Sequence, residues 1–300
     1  MPDLDGDYWA LRNEVGAVWL ERDFLAVVGE DAESFLQGQL SQDIAAIPEN
    51  GSAWSFLLQP QGKVVALVRV MRTSTPGNCW VDTDGGWGER VKERLERFKL
   101  RTKVDVLPQP RIRCLAVRGP KAREMAERIQ SVHLDAAWPG LDGVDLFTSD
   151  FGPLPDGLRV CDLAAYEAVR VEAGVPVMGR EIDEKTIPAE TGIVDRAISF
   201  TKGCFTGQEL VARIDSRGGN VPRHLRGVVV LTNVIPPAGA TVAVEGKDVG
   251  TLTSVAESLE RRAPVALAYV RRAVEPPADV TLSWSGGSAP GRVESLPLVS

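Results

Sequence analysis

ISFTKGCFTGQELVARI, residues 198–214, carries more chemistry than any other stretch of this chain. Residues 198–200 predict a short strand. Thr206 followed by Glu209 has the spacing of a capping box, so a helix is predicted to start there with Leu210, Val211 and Ile214 turned inward. The pair Gly218-Gly219 ends it. Cys204 then stands just ahead of a helix N-terminus, whose partial positive charge favours an anion, and Lys202 lies two residues before it. Gly203 and Gly207 let the backbone turn tightly or approach a ligand. A thiol so placed can be a reactive thiolate, or it can be a buried cysteine acting as a small hydrophobe.

Upstream, residues 24–28 predict a strand, and Ala32, Phe35, Leu36 and Leu40 have helical spacing. Residues 54–58 and 64–70 read as paired strands about the turn Pro60-Gln61-Gly62. Residues 79–82 and 104–107 are further strands, with Trp87, Val91, Leu95 and Phe98 marking one face of a helix between them. Residues 111–117 form another strand, and Pro120 opens a helix through Ala122, Met125 and Ile129. Helical spacing over residues 164–172 ends at Gly174. Beyond residue 225 the texture becomes alternating Val, Thr, Leu and Ala with turns at Pro236-Pro237, Glu245-Gly246 and Gly286-Gly287, the pattern of a small all-β barrel or sandwich. The fold class is therefore α+β with a β C-terminal part.

The composition fits a globular chain of 300 residues, 44% hydrophobic and 25% charged. Lys and Arg total 34 against 41 Asp and Glu, a net charge of -7 that speaks against nucleic-acid binding over a wholly basic surface. No apolar run is long enough to span a bilayer, and the acidic start MPDLDGDYW does not resemble a signal peptide, so a cytoplasmic, monomeric protein is expected. Four cysteines, none in a C-x-x-C pair, and two histidines offer no zinc site of usual spacing. No Walker A, G-x-G-x-x-G or G-x-S-x-G motif is present. Cys79, Cys114 and Cys161 fall in strands and are expected to be structural.

KGCFTGQE, residues 202–209, resembles the signature of the YgfZ family, folate-binding iron–sulfur accessory proteins related to the glycine cleavage T-protein, an aminomethyltransferase. FLQGQLSQDI (35–44), LLQPQGKV (57–64), RVEAGVPVMGREI (170–182), IPAE (187–190) and ALAYVRR (266–272) resemble family segments in the same order. The resemblance implies three domains in a ring around a tetrahydrofolate derivative. Residues 1–50 with 109–222 would form a discontinuous folate-binding domain, 51–108 an inserted α+β domain, and 223–300 the barrel. It implies support of iron–sulfur enzyme assembly or repair, some of those enzymes modifying tRNA. Cys204 and Lys202 would be the reactive pair, and Gly203, Gly207, Gln208, Glu209, Arg213 and Glu172 would contact the cofactor. The thiol could be a transient cluster ligand, a redox thiol or a nucleophile; one thiol cannot supply the four ligands of an ordinary cluster.

Glu172, in R-V-E-A-G, matches the T-protein glutamate that grips a pterin, since a carboxylate accepts two parallel hydrogen bonds. Alternatively it pairs with a neighbour such as Arg170. Arg213 either faces a folate glutamate tail or caps its own helix. Gln61 and Lys63 read as solvated turn residues. Gln39 and Asp43 would line the ring by analogy, although an N-cap at Ser41 explains that segment equally well. Residues 90–103 hold Arg90, Lys92, Arg94, Arg97, Lys99, Arg101 and Lys103 against Glu93 and Glu96. They form either a contact patch for tRNA or an acidic partner, or a solvated helix face.

The T-protein alternative fails on one requirement. T-proteins carry a catalytic aspartate where this chain has Val65 and Ala66, and no Asp lies between Leu57 and Met71. Neither side chain can move a proton or stabilise a cation. Purified protein is expected not to support glycine cleavage in place of the T-protein when the other components are supplied. Turnover comparable to a true T-protein would overturn this reading.

Overall fold

The structure, a computed structural model, describes residues 3–300. In chain order the elements are α1 (Leu4–Asn13), β1 (Gly16–Leu20), β2 (Arg22–Val28), α2 (Ala32–Gln39), β3 (Ser52–Leu58), β4 (Val64–Arg72), β5 (Asn78–Asp84), α3 (Gly88–Arg97) and β6 (Asp105–Pro108). Then come β7 (Arg113–Arg118), α4 (Ala122–Ala126), β8 (Val132–Asp135), β9 (Gly143–Thr148), β10 (Arg159–Val160), α5 (Leu163–Ala173), α6 (Val194–Ala197) and α7 (Gln208–Asp215). The chain closes with β11 (Arg223–Val230), β12 (Thr241–Val244), β13 (Lys247–Ser258), β14 (Ala263–Arg271), β15 (Ala278–Trp284) and β16 (Gly287–Glu294).

Two compact units result. One holds the chain through Leu20, Arg113–Pro176 and Pro222–Ser300; the other holds Glu21–Ile112 and Val177–Val221. The first unit contains a five-stranded sheet, β10-β1-β7-β9-β8, and a closed barrel, β11-β14-β13-β12-β15-β16. Alternation along the sheet strands explains the layers. Ala17, Leu115 and Val117 face α4 with Met125 and Ile129, while Val18 and Ala116 face α1 and α5 through Leu11 and Val169. The barrel encloses Val228, Leu252, Ala268, Leu282 and Val293, and closure removes every sheet edge.

The second unit is built on the sheet β3-β4-β5-β2-β6. Strand β2 pairs with β5 on one side and β6 on the other. The seam expected near residue 50 therefore falls inside one sheet: residues 22–28 are bonded to residues 78–84, so 51–108 is not a separate body. Asp23 on β2 also accepts the Gly88 N–H at 2.7 Å, fixing the start of α3. The expected strand at 198–200 is an irregular segment after α6: the Ile198 N–H closes that helix on the Val194 carbonyl at 2.9 Å, and the Ser199 N–H donates to the Ser41 carbonyl at 3.0 Å. The helix after Pro120 stops at Ala126, short of Ile129.

Where α1, α5 and the end of β13 meet, within the first unit, Glu172 is fully buried. Its Oε1 accepts the Tyr8 hydroxyl at 2.6 Å and also the Ser258 hydroxyl. The Tyr8 and Ser258 oxygens in turn accept the N–H groups of Glu260 (3.1 Å) and Arg261 (3.0 Å). Oε2 has no partner among the described residues, nor has Nη1 of the buried Arg12. Burial raises the Glu172 pKa and Glu260 adds to this, while the hydrogen bonds from Ser258 and Tyr8 and the charge of Arg12 act the other way.

The raised value fixes a sign. The folded protein holds this proton more tightly than the unfolded chain, so stability falls as pH rises from about 4.5, the ordinary glutamate value, through the higher folded value. Glu172→Gln keeps the shape and removes the ionisation. Urea denaturation across this window is expected to show the fall in wild type and a flatter profile in the variant. Parallel profiles would show that Glu172 does not titrate there.

Candidate functional site

Residues 197–215 lie in the second unit and are held by groups far away in sequence. The Ser41 hydroxyl donates to the Ala197 carbonyl at 2.6 Å and accepts the Phe56 N–H at 2.8 Å. Five residues on, Lys202 Nζ donates to the carbonyls of Gln37 (2.6 Å), Leu40 (2.8 Å) and Gln42 (2.8 Å). The first two lie at the C-terminal end of α2, where carbonyls lack intrahelical partners. Phe205 places its ring 5.2 Å from the ammonium. Burial lowers the Lys202 pKa to about 8, with Asp43 opposing the shift.

Lys202 is therefore a cap on α2. Its three N–H donors are each committed to a carbonyl, which leaves none for the thiol, and the sequence reading of Lys202 as an activating partner of Cys204 is corrected on that ground. The expected capping box is also absent. Helix α7 begins at Gln208 with Gly207 as N-cap at φ 85, and no side chain caps it. Thr206 instead gives its N–H to the Gly38 carbonyl at 3.0 Å. Gln208 turns back, its Oε1 accepting the Phe205 N–H at 2.8 Å. Glu209 and Arg213 are exposed and pair with each other at 2.7 Å along the helix.

Two glycines let the β3–β4 turn meet the start of α7. Gly207 and Gly62 both have positive φ. A Cβ on Gly207 would lie 2.5 Å from the Gln59 carbonyl oxygen, and one on Gly62 would lie 2.6 Å from the Leu210 Cβ. Gly203 differs: its φ is not positive, and an added Cβ meets nothing within 4 Å. Its neighbour Cys204 is exposed, whereas Cys79, Cys114 and Cys161 are buried. Burial pushes the Cys79 and Cys161 thiols up to about 11. Among the described residues no group of three or more His, Cys, Asp or Glu could hold a metal ion. No helix there is long and apolar enough to cross a membrane.

Glu172 belongs to the other unit. The paired hydrogen bonds expected toward a pterin need both carboxylate oxygens, and Oε1 already accepts two hydroxyls. Its alternative partner, Arg170, pairs with Glu167 at 3.0 Å instead. Gln39 accepts from Arg94 Nη1 at 3.1 Å, and Asp43 accepts from Gln37 at 2.9 Å. Both are structural contacts that sequence spacing did not foresee. Val65 is half-buried and Ala66 buried, so no acid occupies that part of β4.

Comparison with known proteins agrees with this architecture. The family model of the glycine cleavage T-protein C-terminal barrel domain matches residues 223–299. The chain is 27% identical over 234 residues to a tRNA-modifying protein YgfZ of Pectobacterium atrosepticum, covering 71% of this chain and 69% of that protein. It is 25% identical over 342 residues to an aminomethyltransferase of Streptomyces avermitilis, covering 97% of this chain and 88% of that one. The crystal structure of glycine cleavage system aminomethyltransferase T from Bartonella henselae shares the fold, with a TM-score of 0.85, 21% sequence identity and coverage of 99% of this chain and 89% of that chain.

The two glycines beside Cys204 have opposite expectations. Gly207→Ala meets both a left-handed φ and a carbonyl oxygen, and is expected to lower stability by more than about 1 kcal/mol. Gly203→Ala is expected to leave the thermal midpoint within error of wild type. If Gly203→Ala proves as damaging as Gly207→Ala, the open surface at residue 203 is wrongly described.

Proposed function

We propose, from the membership of this chain in the superfamily that joins the YgfZ proteins to the glycine cleavage T-proteins, that it is a folate-binding accessory protein supporting iron–sulfur enzymes, including enzymes that modify tRNA. The observation that carries the reading is Cys204. It is the exposed cysteine among four, and it sits two residues from the lysine that anchors its loop. The loop is rigid at Lys202 and at Gly207 and open at Gly203. A fixed, reachable thiol with clear space beside it suits reaction with, or transfer to, a partner. The chain's own residues orient the thiol and keep the other three cysteines from competing.

A tetrahydrofolate derivative supplies a carrier for one-carbon units when bound. One observation in the first unit fits such a ligand. Glu172 Oε2 is a buried acceptor without a partner among the described residues, and an N–H donor is what it lacks. A ligand reaches it only by displacing the side chains that cover it, because Glu172 is wholly buried. Aminomethyltransferase activity is the weaker reading because Val65 and Ala66 replace the acid. A cytoplasmic setting and iron–sulfur client enzymes complete the proposal.

Limiting alkylation with peptide-resolved mass spectrometry is expected to modify Cys204 well ahead of Cys79, Cys114 and Cys161. Cys204→Ala is expected to fold with unchanged stability and to lose support of iron–sulfur enzyme activity in cells lacking the native protein. Cys204→Ser is expected to fail as well, since a hydroxyl does not replace a thiol. Native mass spectrometry with tetrahydrofolate is expected to show a complex for wild type and the Ala variant alike. Full complementation by Cys204→Ala would remove the thiol from the function, and absence of any folate complex would remove the cofactor.

A further inference from the structure

The second unit contains a cavity of about 570 Å³, within the usual range for small-molecule sites. The turn after β3 contributes Gln59, Pro60 and Gln61, strand β4 contributes Val65, and α3 with the residue after it contributes Arg94, Arg97 and Phe98. Arg90, Glu93 and Glu184 complete the wall. Arg90 is already paired with Glu184.

Arg94 is the unusual member. It is 8% exposed, and no carboxylate pairs with it. Its partners are neutral: Nη2 donates to the Leu58 carbonyl at 2.9 Å and Nη1 to the Gln39 amide oxygen at 3.1 Å. Nε has no partner among the described residues. The guanidinium carbon lies 3.7 Å from the centroid of the Phe98 ring. Buried charges are ordinarily paired, because solvation lost on burial has to be replaced. Arg97 has no ion pair among the described residues either, and its charge adds to burial in lowering the Arg94 pKa to about 10. Two guanidinium groups thus repel each other at one wall, and a single negative charge would balance three arginines against two carboxylates.

We propose that this cavity binds a small organic monocarboxylate, its carboxylate between Arg94 and Arg97 and its apolar or aromatic body against Phe98, Pro60 and Val65. Guanidinium groups recognise carboxylates through paired N–H donors. The apolar wall favours a ligand with a flat hydrocarbon part over a bare inorganic anion. The inference does not rest on the folate reading, because the cavity's lining residues and the probe below are independent of it.

The test is calorimetric titration of the full chain with benzoate, with benzamide as the neutral isostere and inorganic phosphate as the bare anion. Benzoate is expected to bind saturably, and benzamide and phosphate to bind more weakly by roughly tenfold or more. Arg97→Glu reverses an exposed charge on the cavity wall. Arg101→Glu makes the same charge change on an exposed residue outside the wall. Benzoate affinity is expected to fall by roughly tenfold or more in the first and to stay near wild type in the second. Equal losses in the two variants would reduce the effect to net charge and overturn the site. No benzoate binding, or equal binding of benzamide, would overturn it too. Phosphate binding tighter than benzoate would replace the proposed ligand class. Tetrahydrofolate binding is measured separately, so failure of either reading leaves the other visible.

Discussion

One ammonium group organises the second unit around the candidate thiol. Lys202 donates to three carbonyls, at Gln37, Leu40 and Gln42. Hydrogen bonds to charged groups contribute about 1.5–3 kcal/mol each, net of the bonds given up to water. Burial opposes them, as the lowered pKa of about 8 records. The ammonium carries three donors, one for each of the three oxygens. The lysine thus serves a geometric need. The position of Cys204 follows from it, because only Gly203 separates the two residues.

Local elements were readable because their signals are local. Alternation along β3 and β4, the turn at Pro60-Gln61-Gly62 and the left-handed Gly174 that ends α5 need no information beyond a few neighbours. Helix α1 was not read, because LDGDYWALRN hides its apolar face: Tyr8 and Leu11 are buried beside Arg12, and so is Asp7, whose partners lie on a distant segment. Asp7 is bonded to Arg159 at 2.6 Å. The seam expected near residue 50 had the same cause. Strand β2 pairs across some 55 residues with β5, and texture along the chain cannot report that register.

The site shows the same division. Burial of Cys79, Cys114 and Cys161 followed from their strand context, whereas the sequence left Cys204 open between an exposed and a buried thiol, and the structure exposes it. The capping box did not form, because Gly207 in the left-handed region takes the N-cap and Thr206 is drawn to the end of α2. Spacing also suggested that Lys202 serves Cys204, since they are two residues apart. The carbonyls it serves are about 160 residues away. Glu172 is the converse case. The R-V-E-A-G segment placed a carboxylate at the end of a helix, but the two hydroxyls on its Oε1 come from α1 and β13, and the pattern contains neither.

Val65 links the chemistry that is missing to the charge that is present. An aspartate at this place would have been an acid for proton transfer and also a counter-charge on the wall that holds Arg94 and Arg97. Valine removes both at once. Glu93 and Glu184 remain on that wall, but Glu184 is already paired with Arg90, and Arg94 keeps only neutral partners. With an acid at residue 65 the three arginines of the wall would face three carboxylates; with valine the wall keeps one positive charge in excess. The valine that argues against aminomethyl transfer therefore also leaves the unbalanced positive charge from which the carboxylate proposal starts.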